Sequence, residues 1–450
     1  MFLGREKELD MLEKHYRSNK FEFGVIHGRR RVGKTTLLKE SIVEKRSLYL
    51  LAQQANAKTN LDLFSKRYGE LIGAGQIVYG SFYDLFEALF KEDNLIVVLD
   101  EFTYLTGVDP SIESVLQSLI DTYKDVSTIK FIVSGSEIGM YENLFSVSKP
   151  LFNRQTFEYH LKECDYLESS LYYPNFSSAD KIRTYAVFGG LPYYLAQIDD
   201  QLTLEENIKN LITSENARFS NEVSMLLHSE LRSIQEYQSV LQAIQSGSTK
   251  LSEIDSKSRI QDTAKTSKYV KKLLELEIIE KEYKFLESPN SKSHLYRIKN
   301  NFIAFHYHFI WKNQAARVLM SKDDYYETFI KDEIDQYVSL RFEKICEQFL
   351  IRYYKQRNQE SIINIGRYWY NDRKLKTDIE IDLCIQTKKN IHVYECKWTN
   401  NQFGTSIMND LIEKGQHLEA TKYGAFSKKG YHESVLYKNY DLISIEDFFA

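Results

Sequence analysis

Two rhythms of hydrophobic and polar residues run along this chain. The first is the short unbroken apolar run: residues 21–27, 95–99 and 129–133 are rich in valine, isoleucine, leucine and phenylalanine. Runs of that length and composition predict strands buried on both faces of a parallel sheet. Run 21–27 leads through a glycine turn into 35–43, which has helical spacing, so strand, turn and helix are expected in that order. The second rhythm is amphipathic. Across 178–245 the residues Leu202, Leu204, Ile208, Leu211 and Ile212 fall at mixed three and four spacings, the pattern of a helical lid. Beyond Gly247, residues 251–258 and 263–277 predict two helices around a short turn, the second capped by Asp262. Residues 278–286 and 294–299 then predict two strands around Ser288, Pro289, Asn290 and Ser291. Two helices and a hairpin in that order predict a winged helix. Near the end, Phe342 opens an apolar helix reaching Tyr354, and the alternating runs 379–385 and 391–398 predict a hairpin across Lys388 and Lys389.

Length and composition narrow the class. A chain of 450 residues holds several domains at roughly 100 to 200 residues each, and each can bury its own core. With 43% hydrophobic and 27% charged residues, neither wholesale disorder nor a disulfide scaffold is expected. The 59 basic and 63 acidic residues leave a net charge of -4, so any binding to nucleic acid or anionic lipid must be local. Cys164, Cys346, Cys384 and Cys396 are scattered and form no CxxC pair, which predicts free thiols in a reducing compartment rather than a zinc site. No apolar run reaches the roughly 18 residues of a membrane span, and the opening Met1-Phe2-Leu3-Gly4-Arg5-Glu6 is not a signal peptide. The expected location is cytoplasmic, without membrane partners.

The candidate chemistry begins where the first strand ends. Residues 28–35, GRRRVGKT, fit GxxxxGK[ST] at every fixed position. Gly28 and Gly33 permit the tight turn that aims backbone N–H groups at phosphates, Lys34 can reach the β and γ phosphates, and Thr35 can ligate magnesium. Asp100 at the end of run 95–99 is placed to hold that magnesium, directly or through water, and Glu101 to polarise an attacking water. Run 129–133 ends in Ser134, Gly135 and Ser136. Ser134 reads either as a sensor of the γ phosphate or as a strand-end cap of a helix.

These features together resemble the archaeal-type ATPases, a branch of the AAA+ and STAND P-loop NTPases. The resemblance rests on FLGREKEL at 2–9, similar to the family's FxGRExEL box near the nucleotide base, and on GRRRVGKTT, LIVVLDE and FIVSGS. It extends through PLFNR at 150–154, like the family's PLYGR segment, and GGLPYYL at 189–195, like its GGxPxYL segment. It implies an α/β fold with a parallel P-loop sheet that binds ATP and magnesium through Gly28, Gly33, Lys34, Thr35, Thr36, Asp100 and Ser134. It further implies nucleotide contacts from Arg154 and Pro192. Asn153 stands where the family carries glycine; by itself Arg154 reads as a surface ion-pair partner, and Pro192 as the end of a helix.

In the middle of the chain, Lys257, Arg259, Lys265, Lys268, Lys271 and Lys272 face one acid, Asp262, across 257–272. Such a helix can neutralise DNA phosphates, with Thr266, Ser267 and Tyr269 near base edges or sugars, or it can be a solvated face of a packing module. His306 and His308, two residues apart, do not have helical metal spacing, and no metal is assigned there. In the final hairpin Glu395 and Lys397 share one strand face, and the hairpin can bring Asp382 beside them. Two carboxylates can hold magnesium while the lysine orients water; the alternative is a structural salt bridge. The arrangement D-x12-ExK, with Glu343 on the preceding helix as an extra acid, resembles the PD-(D/E)xK nuclease superfamily. A C-terminal domain of the same pattern accompanies many archaeal-type ATPases, including IGRYW at 365–369. That fold can also bind DNA without cutting it.

The expected organisation is a P-loop ATPase core at 1–165, a helical lid at 166–232, a winged helix at 233–312 and an α/β nuclease-like domain at 313–450. The expected function is an ATP-binding and hydrolysing switch, homo-oligomeric, coupled to a half that binds DNA and cleaves it with magnesium. The alternative is a nucleotide-regulated scaffold or transcription regulator without nuclease activity.

Overall fold

The apolar runs become the interior of a sheet. In the structure, a computed structural model, strands β1 (Glu22–His27), β2 (Ser47–Leu51), β3 (Ile96–Asp100), β4 (Lys130–Gly135) and β5 (Phe157–His160) pair in the order β2-β3-β4-β1-β5. All four pairings are parallel. The described residues are 2–135, 144–231, 233–288, 291, 293–357, 360–372, 377–436 and 438–450. Ser136 and the turn residues Pro289 and Asn290 lie outside them.

Every residue of β3 and β4 is buried, because helices cover both faces of a parallel sheet and leave no polar side. Phe23, Val25, Val97, Leu99, Phe131 and Val133 supply the sheet's part of the core, against Leu85, Phe86, Leu89, Leu116 and Leu119 from the helices. Register then places the strand ends. Ile26 of β1 pairs with Ser134, and Leu99 with Val133, so the end of β4 lies between the loop that leaves β1 and the acids that leave β3.

The chain divides into two units, Met1–Glu163 with Leu191–Tyr193, and Cys164–Gly190 with Tyr194–Ala450. The stretch expected as a helical lid contains the helices Ser178–Phe188, Pro192–Leu195, Leu204–Ile208, Glu222–Glu230 and Ile234–Gln245. Gly189 and Gly190 end the first of these helices. Pro192, expected to end a helix, instead opens one: at a first helical position its missing N–H removes no intrahelical bond and its fixed φ suits the turn.

In the second unit the helix Leu251–Ser258 is followed by Thr263–Glu275, whose Asp262 cap accepts from the N–H groups of Ala264 and Lys265. An antiparallel hairpin follows, β6 (Ile279–Tyr283) with β7 (His294–Ile298). The long helix Ile334–Arg357 leads to a mixed sheet of β8 (Asn364–Asp372), β9 (Thr377–Gln386), β10 (Ile391–Lys397), β11 (Lys422–Ser427) and β12 (Asp441–Ser444). Their order is β12-β11-β10-β9-β8. Strand β9 runs antiparallel to β8 and β10, while β10, β11 and β12 are parallel. Ile381, Cys384, Val393, Ala425, Met408 and Leu411 fill its core. The protein is thus α/β in both units. No helix among the described residues is long and apolar enough to cross a membrane.

Candidate nucleotide site and C-terminal acidic site

The loop after β1 wraps the start of the helix Lys34–Ser41, and two glycines make it possible. A Cβ on Gly28 would lie 2.4 Å from the carbonyl oxygen of Leu161, and Gly33 has φ 96°; both positions exclude a side chain without strain. Gly33 caps the helix without a side-chain hydrogen bond, which leaves first-turn N–H groups and the positive end of the helix dipole to an anion. The Lys34 ammonium is buried and donates to the carbonyls of Gly28 (2.7 Å) and Arg29 (3.1 Å), inside the loop itself. Thr35 and Thr36 sit on the exposed side of the same turn.

Arg5 of the N-terminal box grips this loop from behind. Its guanidinium donates to the carbonyls of Val32 (3.2 Å) and Lys162 (2.8 Å). Arg29 pairs with Glu163 at 3.2 Å, and Arg31 lies 4.4 Å over the Tyr193 ring. A Cβ on Gly33 would stand 3.7 Å from Pro192 Cγ, so the GGLPYYL segment reaches the phosphate loop through Pro192 and Tyr193.

The central carboxylate is Asp100, fully buried. Its Oδ2 accepts from Thr35 Oγ1 (2.7 Å) and Tyr49 Oη (2.6 Å), and its Oδ1 from the Glu101 N–H (3.0 Å) and Ser134 Oγ. Burial, then the bond to Asp100, pushes the Tyr49 phenol far above its ordinary range, so it remains a donor. Glu101 itself caps the helix Phe102–Val108 with φ 56°. That left-handed conformation is costly for a non-glycine residue and is characteristic of functional turns.

Arg154 is not part of this cluster. Its Nε and Nη2 form a two-point pair with Asp121 (3.1 and 2.8 Å), and its Nη1 bonds the carbonyls of Pro150 and Phe152. Asn153 has φ 56°, so asparagine fills the place of the family's glycine because it tolerates the left-handed region.

The second cluster lies on β9 and β10. Their ladder ends at Tyr394 and Leu383; continuing that register by one step puts Glu395 opposite Asp382, whose charge acts on it. Asp382 Oδ2 accepts from the Cys396 N–H at 2.9 Å, Lys397 Nζ bonds Glu395 Oε1, and Glu395 is 5% exposed. Burial first, then the charge of Asp382, raises the Glu395 carboxyl above its ordinary range. Glu395 Oε2 is buried and has no hydrogen-bond partner among the described residues. Glu343, on the helix Ile334–Arg357, stands 3.8 Å from Arg367, which also pairs with Glu380. Its carboxyl is pushed up to about 7 by burial, with Arg367 opposing and Asp382 adding to the rise.

Among the described residues no group of three or more acids, histidines or cysteines stands close enough to hold an ion. The charge of Asp382 acts on Glu343, but Glu343, Asp382 and Glu395 do not form such a group. A cleft of about 30 Å³, room for roughly one water, is lined by Glu343, Arg367 and Asp382 together with Glu282 and Arg297 of the β6–β7 hairpin, while Glu395 lies outside its lining. Cys396 is half-buried, Cys164, Cys346 and Cys384 are buried, and all four thiols are free.

On the helix Thr263–Glu275, Thr266 does not reach outward as expected. It is fully buried and donates to Asp255 at 2.6 Å, fixing the two helices to each other. Tyr269 packs edge-on against Tyr237. Lys265, Lys268 and Lys271 are exposed, and Lys265, Lys271 and Lys272 lie 3.9, 4.0 and 3.5 Å from Asp262 or Glu275. Sequence reasoning gave no role to Tyr49, Arg5 or Arg367. Arg5, inside FLGREKEL, and Arg367, inside IGRYW, carried a signal; Tyr49 looks like any strand tyrosine.

A parallel sheet, a glycine loop closed on a buried lysine and an acid at the end of β3, with β4 between the two, define a P-loop ATPase. Residues 2–198 match the family described as an ATPase domain predominantly from Archaea, and residues 306–408 match archaeal and bacterial proteins of unknown function. An uncharacterized protein of Methanocaldococcus jannaschii is 30% identical over 427 residues, 94% of either chain. The chain belongs to this family of archaeal-type ATPases. Among solved structures it is similar to the Walker-type ATPase PABY2304 of Pyrococcus abyssi, with 18% identity and a TM-score of 0.49 over 68% of this chain and 96% of that one. It is also similar to the Aeropyrum pernix ORC2 protein solved with ADPNP and ADP, with 16% identity and a TM-score of 0.45 over 75% and 94%.

Proposed function

We propose that this ATPase is a nucleotide-driven switch whose C-terminal half binds DNA and cleaves it in a magnesium-dependent step. The observation that carries the second part is the buried, unpartnered Oε2 of Glu395, opposite Asp382 and beside Lys397. A buried carboxylate oxygen without a donor is costly, and a divalent cation shared with Asp382 removes that cost. Magnesium is commonly bound by one or two carboxylates plus substrate phosphate oxygens, so the pair suffices without Glu343. A bound cation would neutralise the phosphate and lower the pKa of a water. Asp382 and Glu395 hold it, Lys397 orients the water and balances charge, and Glu343 with Arg367 lines the approach.

At the other end, Gly28, Gly33, Lys34, Thr35 and Thr36 cradle the phosphates of ATP. Thr35 and Asp100 face the magnesium, Glu101 polarises water, and Ser134 reports the γ phosphate through its bond to Asp100. Pro192 borders the loop, while Arg154 contacts nucleotide only after leaving Asp121. The working division is an ATPase core at 1–165, a lid at 166–232, a winged helix at 233–312 and a nuclease-like domain at 313–450, in a protein that assembles with copies of itself.

The test is nicking of supercoiled DNA with magnesium or manganese, with and without ATP. Wild type should cleave, and Asp382→Asn should lose cleavage while hydrolysing ATP normally. Equal cleavage by the two proteins, or none by wild type in any nucleotide state, overturns the catalytic part. A second reading, a scaffold or transcription regulator without cleavage, is favoured by one observation. Three lysines of the basic helix lie beside their own acids, and Thr266 is buried. It requires wild-type DNA binding to be weak and nearly independent of salt.

A further inference from the structure

Asp100 is saturated before any ligand arrives. A carboxylate offers about four lone-pair positions, and Thr35, Tyr49, Ser134 and the Glu101 N–H take four on its two oxygens. A cation beside the phosphates that is held through water must have that water donate to Asp100, so one protein donor has to leave.

The four donors are not equally free to do so. The Glu101 N–H is fixed by the backbone turn, and Ser134 is fully buried on a central strand. Thr35 is the neighbouring oxygen ligand; its hydrogen can stay on Asp100 while its lone pairs face outward. Tyr49 alone comes from an edge strand, is only part-buried, and ends in a hydroxyl that leaves by side-chain rotation. That hydroxyl and the Thr35 hydroxyl both donate to Asp100 Oδ2, so Tyr49 occupies the corner where Thr35 and Asp100 Oδ2 meet.

We propose that the Tyr49 hydroxyl is a placeholder: in the nucleotide-free protein it fills the position on Asp100 Oδ2 that a cation-bound water takes, and loading displaces it. The inference rests on the reading of Asp100 as the acid facing the cation. It makes the phenol a brake on metal binding rather than a support, because the bond from Tyr49 must be surrendered each time the site fills.

The experiment is calorimetric titration of ATP into the full chain at a series of magnesium concentrations, for wild type, Tyr49→Phe, Tyr49→Leu and Asp100→Asn. ATP affinity in EDTA should be unchanged in Tyr49→Phe, which keeps the ring and removes the donor. The magnesium concentration for half-maximal tightening should fall about fivefold, the equivalent of one net hydrogen bond. Tyr49→Leu, which also lacks the hydroxyl, should shift in the same direction. An unchanged or increased magnesium requirement in Tyr49→Phe overturns the placeholder and makes Tyr49 a support for Asp100. If Asp100→Asn keeps the wild-type magnesium dependence, the reading of Asp100 fails and takes the placeholder with it. Loss of that dependence in Asp100→Asn beside an unchanged Tyr49→Phe sinks the placeholder alone.

Discussion

Asp100 and Glu395 are both buried carboxylates near the carboxyl end of a central strand, 0% and 5% exposed, but their surroundings differ in kind. Asp100 receives four donors from four separate chain segments, and its charge is satisfied by the protein alone. Glu395 has the ammonium of Lys397 on one oxygen, no partner among the described residues on the other, and Asp382 opposite it. The first centre is organised in advance and must yield a donor to admit a ligand. The second stores repulsion among like charges that an incoming cation would relieve. Two buried carboxylates in similar places can therefore be left with opposite electrostatic needs.

The largest expected effect tests the organised centre. Lys34 supplies the positive charge inside the phosphate loop, so Lys34→Ala should weaken ATP binding by at least about a hundredfold, because charge-assisted bonds are lost without replacement. Calorimetry checks this, and retained affinity would remove the loop from nucleotide binding. Next comes Glu101→Gln, which keeps the shape of the turn but not its charge. It should bind ATP as wild type does and hydrolyse it about a hundredfold more slowly. A turnover equal to wild type would place the water-polarising group elsewhere.

The smallest effect sharpens the other side. Glu343 has a folded pKa raised to about 7 by burial, above the roughly 4.3 of an unfolded glutamate. The stability this neutral carboxyl contributes is fully present below the unfolded value and is lost as pH rises through the folded one. Between about pH 4.5 and 7 the unfolding free energy should therefore fall by on the order of 2 kcal/mol more in wild type than in Glu343→Gln. Denaturant titrations across that window measure it. Equal slopes for the two proteins would show that Glu343 titrates in the folded chain as it does in the unfolded one.

Much of this was legible beforehand because local chemistry dictated it. The apolar runs become β1, β3 and β4 within a residue or two, the glycine loop lies between strand and helix, and Asp262 caps the helix it precedes. Buried parallel strands and caps have short-range signatures. The helical pattern across 178–245 did not give the helix ends: helical spacing alone does not report where Gly189, Gly190 and Pro192 punctuate it. The outward role of Thr266 failed because burial is not a local property; its Asp255 partner sits eleven positions earlier, on another helix.

By itself the sequence determined which residue types stand at strand ends and turns, and so the class of protein and the identity of Lys34, Asp100, Glu101, Asp382, Glu395 and Lys397 as the groups to examine. Tertiary structure alone decided their company. Tyr49 meets Asp100 from β2, Arg367 enters among the acids from β8, Arg5 reaches the phosphate loop from just before the helix Glu6–Tyr16, and Arg154 is drawn off to Asp121. Hydrophobic periodicity acts over a few residues and survives in the sequence as a pattern. A hydrogen bond to a buried carboxylate depends on strand order and register, which bring together residues dozens of positions apart and leave no periodic trace.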